Sequence, residues 1–176
     1  QKDLYIVKSC LSEEKSSNVF EYIKQIAALI KIRNPETGEV IDKDILARRF
    51  NKISFVGEDV ALAKYLNPSS LNDNEKGCEY NPIFPFGCNN SQYKAVKNAL
   101  ENQISVIQGP PGTGKTQTIL NIIANILLEG KTVQIVSNNN SAIENVYEKL
   151  SSPKYNLGFI VAMLGNFQNK KIFIEN

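Results

Sequence analysis

Apolar residues recur every three or four positions through the first third of the chain, the spacing typical of helices with one buried face. The clearest run predicts a helix over Val19–Ile32, preceded by capping side chains at Ser16–Asn18. The helix is expected to stop before Asn34-Pro35, because a residue that precedes proline avoids helical backbone. The same spacing predicts two shorter helices, near Asp42–Phe50 and near Glu58–Leu66.

A change in composition divides the chain. Residues 1–66 are predicted to form a mainly helical N-terminal region, with a short strand at Leu4–Val7. Residues 67–88 are rich in Asn, Pro, Ser and Gly, which is typical of a linker or long loop. Residues 89–176 are therefore predicted to form a separate domain.

Short apolar segments alternate with amphipathic ones in residues 89–176. The predicted order is helix Ser91–Asn102, strand Ile104–Gln108, helix Lys115–Leu128, strand Thr132–Val136, helix Ser141–Leu150 and strand Phe159–Leu164. Strands that alternate with helices indicate βαβ units. The predicted fold class is α/β, with a parallel sheet between flanking helices.

Composition excludes several function classes. The formal net charge of +2 gives no global attraction to nucleic acid, and the absence of histidine excludes Ser-His catalysis and His-ligated metals. No apolar stretch is long enough to span a membrane, and no signal peptide is recognisable, so we expect a cytoplasmic, intracellular protein. Because the chain starts with Gln1 and not Met, we expect it to begin inside a longer protein.

Three cysteines, Cys10, Cys78 and Cys88, are expected to be reduced thiols. A Cys78–Cys88 disulfide that closes a small loop is the alternative.

One motif carries recognisable chemistry. Gly109–Thr116, the phosphate loop, reads Gly-Pro-Pro-Gly-Thr-Gly-Lys-Thr and fits G-x-x-x-x-G-K-[ST] between a predicted strand and a predicted helix. Glycines let the backbone wrap around phosphate, and the following helix presents its positive end. We expect Lys115 to reach the β- and γ-phosphates of ATP and the Thr116 hydroxyl to ligate Mg²⁺.

Three segments in order resemble motifs Q, I and Ia of superfamily 1 helicases in the Upf-like branch. They are Asn89–Val96, Gln108–Ile119 and Val136–Val146. The resemblance covers roughly Asn89–Leu164 and implies the N-terminal part of a first RecA-like ATPase domain. The nucleotide-binding residues that it implies are Gln92, Gly109, Pro110, Pro111, Gly112, Thr113, Gly114, Lys115, Thr116 and Gln117, with Lys115 and Thr116 catalytic.

The resemblance also implies roles outside the phosphate loop. Gln92 would hydrogen-bond the adenine edge, since an amide offers both a donor and an acceptor. Asn139 and Asn140 would lie near the backbone of single-stranded DNA or RNA. Simpler interpretations stay open: Gln92 as an exposed helix residue near an N-cap Ser91, and the two asparagines as caps of the next helix.

Some family features are missing from this sequence. Relatives carry an Asp-Glu pair at the end of a later strand, whereas Phe159–Leu164 is followed by Gly165-Asn166, and Glu175 follows Ile174. A second RecA-like domain with an arginine finger is also absent, and Met163 stands where many relatives carry a basic residue. We expect this chain alone, truncated before motif II, to bind nucleotide weakly and not to hydrolyse it.

The leading interpretation is part of an ATP-dependent nucleic-acid helicase or translocase, with residues 1–66 as a stalk or accessory segment. A nucleotide-dependent switch or another P-loop ATPase is an alternative. A GTPase would need an Asn-Lys-x-Asp guanine reader, but Asn51–Ser54 and Asn169–Ile172 both lack the Asp. A non-catalytic binding module with a vestigial P-loop is the third reading. Pathway, polarity and oligomeric state are left open.

Overall fold

A computed structural model describes residues 8–34, 37–42, 44–67 and 80–165. The chain divides into two compact units, Gln1–Gly77 and Cys78–Asn176, and each is described by itself. The predicted strand at Leu4–Val7 and the cysteine Cys78 lie outside the described residues, as does most of the predicted linker.

The first unit is mainly helical, with one small hairpin. A 3-10 turn at Cys10–Ser12 precedes the first helix. The elements are α1 (Glu14–Leu29), β1 (Ile32–Arg33), β2 (Val40–Asp42), α2 (Ile45–Phe50) and α3 (Ala61–Leu66). The three predicted helices are confirmed, with shifted ends.

The boundaries of α1 and α2 differ from prediction because a hairpin forms between them. β1 pairs antiparallel with β2, so the predicted helical segments lose residues 30–32 and Asp42. Asn34 N–H donates to the Glu39 carbonyl at 2.8 Å, and Gly38, at φ +70°, donates to the Asn34 carbonyl at 2.9 Å. These turn bonds favour the hairpin over continued helix. At its other end α1 starts before the predicted caps, and Ser16 is buried inside it.

The core of the first unit lies where α1 meets α3. It consists of the buried side chains Cys10, Phe20, Val56, Ala63 and Leu66. Burial raises the pKa of the Cys10 thiol, and the carboxylates of Glu13 and Glu58 raise it further.

Three helices build the second unit: α4 (Asn90–Glu101), α5 (Lys115–Leu128) and α6 (Asn140–Ser151). All three were predicted to within a residue or so. α5 packs against both α4 and α6. The core lies along α5 and α6 and consists of Phe86, Leu120, Ile123, Val146 and Leu150.

The three predicted strands of the second unit do not form within its described residues. Segments 104–108 and 132–136 have no strand partner, and Val106 and Val136 are each 79% exposed. A 3-10 turn at Gly158–Ile160 replaces the start of the third predicted strand. A strand is stabilised by ladder hydrogen bonds to a neighbour, which apolar, β-branched residues alone do not supply. The parallel sheet therefore stays a prediction.

No helix in the described ranges combines the length and the apolarity that a membrane span requires.

We predict that Leu66→Ala lowers the free energy of unfolding of the first unit by about 2–5 kcal/mol, because a fully buried side chain leaves a cavity. Tyr65→Ala is the matched control: its side chain is 62% exposed, so a change within about 0.5 kcal/mol is expected. Urea denaturation of both variants checks this, and equal losses would contradict the assigned core.

Candidate nucleotide-binding site

The backbone of the phosphate loop is shaped by two left-handed glycines. Gly112 has φ +85° and Gly114 has φ +79°, a region that other residues rarely adopt. Gly114 is the N-cap of α5, and no side chain caps this helix. The first N–H groups of α5 have no acceptor within the helix, so they and the helix dipole favour an anion here.

The Lys115 side chain lies over the phosphate loop. Its Nζ donates to the carbonyl of Gly109 at 2.5 Å and to that of Pro110 at 2.9 Å. The Thr113 hydroxyl also donates to the Pro110 carbonyl, at 2.9 Å. Because the Lys115 side chain is exposed, its ammonium group can exchange these carbonyls for a phosphate.

Thr116 is the second residue of α5 and is half-buried. Among the described residues, no group of three or more Asp, Glu, Cys or His side chains could form a metal cage. Mg²⁺ in nucleotide sites keeps water and phosphate ligands and needs few protein groups. The Thr116 hydroxyl therefore suits an Mg²⁺ ion that binds together with a nucleotide.

Gln92 lies in a capping box at the start of α4. Asn89, rather than the expected Ser91, is the N-cap: its Oδ1 accepts from Gln92 N–H at 2.9 Å. The Gln92 Oε1 in turn accepts from Asn89 N–H at 2.9 Å. The box fixes both the start of α4 and the direction of the Gln92 side chain.

The other end of the Gln92 amide contacts the phosphate loop. Nε2 donates to the carbonyls of Thr113 and Gly114, each at 3.3 Å, and to Gln117 Oε1 at 3.2 Å. The side chain is 7% exposed, so Gln92 is not the exposed helix residue of the simpler interpretation. A β-carbon at Gly114 would overlap Gln92 Nε2. Contact with adenine stays a prediction.

Sequence reasoning missed the packing role of three amide side chains of α5, which we call the amide row. Gln117 was expected only as a nucleotide-binding residue, and Asn121 and Asn125 were not singled out. Gln117, Asn121 and Asn125 are four residues apart and face residues 83–87, the docked segment. Asn121 and Asn125 are buried. The available signal was their spacing, since amides at every fourth position of an otherwise apolar helix lie on one face.

The amide row holds the docked segment through its backbone. Asn125 accepts from Ile83 N–H and donates to the Ile83 carbonyl, both at 2.8 Å. Asn121 accepts from Phe86 N–H at 3.2 Å and donates to the Gly87 carbonyl at 2.8 Å. Gln117 Nε2 donates to the Phe86 carbonyl at 2.5 Å.

Asn139 and Asn140 lie at the start of α6. Asn139 is its N-cap, and Oδ1 accepts from Ser141 N–H at 3.1 Å and from Ser141 Oγ at 2.7 Å. Asn140 is the first helical residue and is exposed. The capping interpretation is therefore confirmed for Asn139, and a nucleic-acid contact stays a prediction for both.

We predict that Gly114→Ala destabilises the second unit more than Gly112→Ala. Both changes force alanine into a left-handed conformation, at a cost of roughly 1–2 kcal/mol. Only Gly114→Ala also displaces Gln92 Nε2, whose hydrogen bonds contribute about 0.5–1.5 kcal/mol each, because a β-carbon at Gly112 meets no atom within 4 Å. Unfolding free energies without nucleotide test this order, and equal values would contradict the contact.

Comparison with known proteins finds relatives of the segment that contains this site. Residues 87–169 match a family model described as an AAA domain. The chain is 40% identical over 80 residues to the DNA polymerase alpha-associated DNA helicase A of Schizosaccharomyces pombe, covering 43% of this chain and 12% of that protein. It is 46% identical over 63 residues to the regulator of nonsense transcripts 1 homolog of Drosophila melanogaster, covering 35% of this chain and 5% of that protein.

A longer match reaches into the first unit. The DNA polymerase alpha-associated DNA helicase A of Saccharomyces cerevisiae is 25% identical over 142 residues, which is 78% of this chain and 18% of that protein. The chain thus spans less than a fifth of the length of these relatives. No solved structure matches it.

The matched residues contain the phosphate loop, Gln92 and the amide row. A P-loop NTPase domain and the resemblance stated from motifs Q, I and Ia are thereby confirmed. The matched segment, residues 87–169, is similar to superfamily 1 helicases of the Upf-like branch.

Proposed function

We propose that the protein is an ATP-dependent helicase or translocase that acts on single-stranded DNA or RNA. The observation that carries the proposal is the phosphate loop: two left-handed glycines lead into a helix whose N-terminus has no side-chain cap and starts with Lys115. The names of the relatives support it, since one is called a DNA helicase and another a putative ATP-dependent RNA helicase.

The phosphate loop fits the β- and γ-phosphates of ATP. Lys115 would leave the carbonyls of Gly109 and Pro110 for the phosphate oxygens, and the N–H groups of the loop and of α5 would complete the cradle. Gln117, the third residue of α5, presents one of those N–H groups. Charge on the transferred phosphoryl group is then stabilised by fixed donors.

Mg²⁺ would be held by the Thr116 hydroxyl together with the phosphates. When bound, the ion neutralises charge that develops on the phosphate oxygens during transfer to water. Hydrolysis further needs an acidic pair that activates water, which the family supplies from a later strand.

The parallel sheet of a RecA-like domain is part of the same proposal. Segments 104–108 and 132–136 flank α5 in sequence, as parallel strands of a βαβ unit do. The exposure of Val106 and Val136 supports this, because apolar residues on both segments would be buried once a sheet forms.

We predict that Lys115→Ala in the full-length protein lowers the rate of ATP hydrolysis by on the order of 100-fold or more, because a phosphate-directed cation is lost. Lys94→Ala is the matched control: Lys94 is an exposed lysine of α4. The assay measures phosphate release with and without a single-stranded oligonucleotide, which should stimulate the reaction.

Three results would contradict the proposal. If Lys115→Ala hydrolysed ATP at the wild-type rate, the phosphate loop would have no part in the reaction. Equal use of GTP and ATP would favour a nucleotide switch. A wild-type protein without any thermal shift at millimolar ATP and Mg²⁺ would favour the non-catalytic binding module.

We predict that Asn140→Ala weakens binding of a single-stranded oligonucleotide by about threefold, the effect of one neutral hydrogen bond, without lowering the melting temperature. Asn139→Ala should weaken binding similarly and also destabilise α6 by about 1 kcal/mol, because it removes the cap. Fluorescence anisotropy and thermal unfolding of both variants check this. Unchanged oligonucleotide affinity in both would contradict the interface.

A further inference from the structure

We infer that the exposed face of α2 binds the phosphate backbone of a single-stranded nucleic acid, an inference that rests on the proposed helicase function. Three cations at the C-terminal end of α2, which we call the cationic stripe, would make the contact: Arg48, Arg49 and Lys52. The stripe belongs to the first unit and lies outside residues 87–169, the segment that matches the family model. The contact would therefore add to the one predicted at the start of α6.

Packing fixes which face of α2 is exposed. Phe50 packs on the core of the first unit, and its ring lies edge-on to that of Phe20, with centroids 6.0 Å apart. The N–H of Lys52 donates to the Arg49 carbonyl at 3.2 Å, so the last turn continues through Lys52. Because residues three and four positions apart are neighbours on a helix surface, Lys52 lies beside both Arg48 and Arg49. All three side chains are exposed.

The cationic stripe lines an open hollow on the surface of the first unit. Ile45 and Asn51 complete the lining, and within the described part of the chain no acidic residue contributes to it. Guanidinium and ammonium groups bind phosphate oxygens, and an amide can contact phosphate or sugar without reading sequence. The Ile45 side chain offers an apolar surface to sugar carbons. The hollow thus combines the groups that contact a phosphodiester chain.

The protein itself does not neutralise the outer part of the stripe. Among the described residues, Arg49 and Lys52 form no ion pair, whereas Lys24 of the same unit pairs with Glu21. Asp44, the N-cap of α2, does not line the hollow. A helix dipole favours cations in the last turn, which explains why they are tolerated there. It does not account for a hollow lined by cations and free of acidic side chains.

The rest of the chain favours nucleic acid as the partner. A net charge of +2 gives no global attraction, so any attraction to a polyanion has to be local, as it is at the stripe. The second unit carries the phosphate loop, whose proposed role is to drive movement along a strand. A protein that moves along a strand must bind every sequence, and contacts to phosphate meet that requirement. An acidic peptide and an anionic membrane are tested as the other occupants.

The test removes two charges of the stripe from the full-length protein, by combining Arg49→Gln with Lys52→Gln. The matched control combines Lys8→Gln with Lys31→Gln, which changes two exposed lysines of the first unit that do not line the hollow. Both double variants lose the same net charge. Fluorescence anisotropy measures the affinity for single-stranded DNA and RNA oligonucleotides, each in a homopolymeric and a mixed sequence, over a range of salt concentrations.

We expect the stripe variant to bind oligonucleotides on the order of tenfold more weakly at roughly 0.1 M salt. The slope of log affinity against log salt should become shallower by about 1.4, which is about 0.7 for each lost phosphate contact. The loss should be the same for both sequences, because phosphate contacts carry no sequence information. The control should stay within about twofold, and neither variant should change the melting temperature or the ATP hydrolysis measured without oligonucleotide, since the altered side chains are exposed.

Several results would overturn the inference. Equal losses in the two double variants would indicate an effect of net charge alone. An unchanged salt slope would mean that the stripe does not contact phosphate. Stripe-dependent binding of a polyglutamate peptide or of anionic phospholipid vesicles, without stripe-dependent binding of oligonucleotides, would assign the hollow to another partner.

The same measurements separate this inference from the proposed function. If the wild-type protein neither hydrolysed ATP nor bound an oligonucleotide, the proposed function would fail and the inference with it. If the wild-type protein did both and the stripe variant kept full affinity for the oligonucleotides, only the inference about α2 would fail.

Discussion

The second unit depends on amide side chains that bind backbone. Along α5, Gln117, Asn121 and Asn125 satisfy the N–H and carbonyl groups of a segment that has no regular secondary structure of its own. A buried backbone group without a partner costs about as much as a lost hydrogen bond, so irregular backbone can pack on a helix only if side chains supply the partners. The amide row meets that requirement.

Side-chain amides also connect the packing of the docked segment on α5 to the phosphate loop. Gln117 belongs both to the amide row and, through Gln92, to the contacts on the loop carbonyls. Gly114 has to lack a β-carbon for two reasons: its backbone is left-handed, and Gln92 occupies the space beside it. A single position of the motif thus satisfies a conformational requirement and a packing requirement together.

Several apolar side chains of the second unit, in contrast, are exposed to solvent. Val106, Val136 and Phe159 are largely exposed although each lies in a segment with strand-like composition. Apolar side chains on unpaired segments gain little until a neighbouring strand supplies hydrogen bonds and a second layer covers them. The helices of this unit form without such help because their hydrogen bonds are internal.

Sequence alone determined the helices, the phosphate loop and the family resemblance, because helical periodicity and the G-x-x-x-x-G-K-T pattern are local. It did not determine the hairpin between α1 and α2, where strand pairing and the hydrogen bond from Asn34 N–H to the Glu39 carbonyl competed with helix. Nor did it show that the Gln92 amide contacts the loop carbonyls, since that contact joins residues more than twenty positions apart. Side-chain hydrogen bonds of that range depend on how α4 packs on α5, which only the tertiary structure decides.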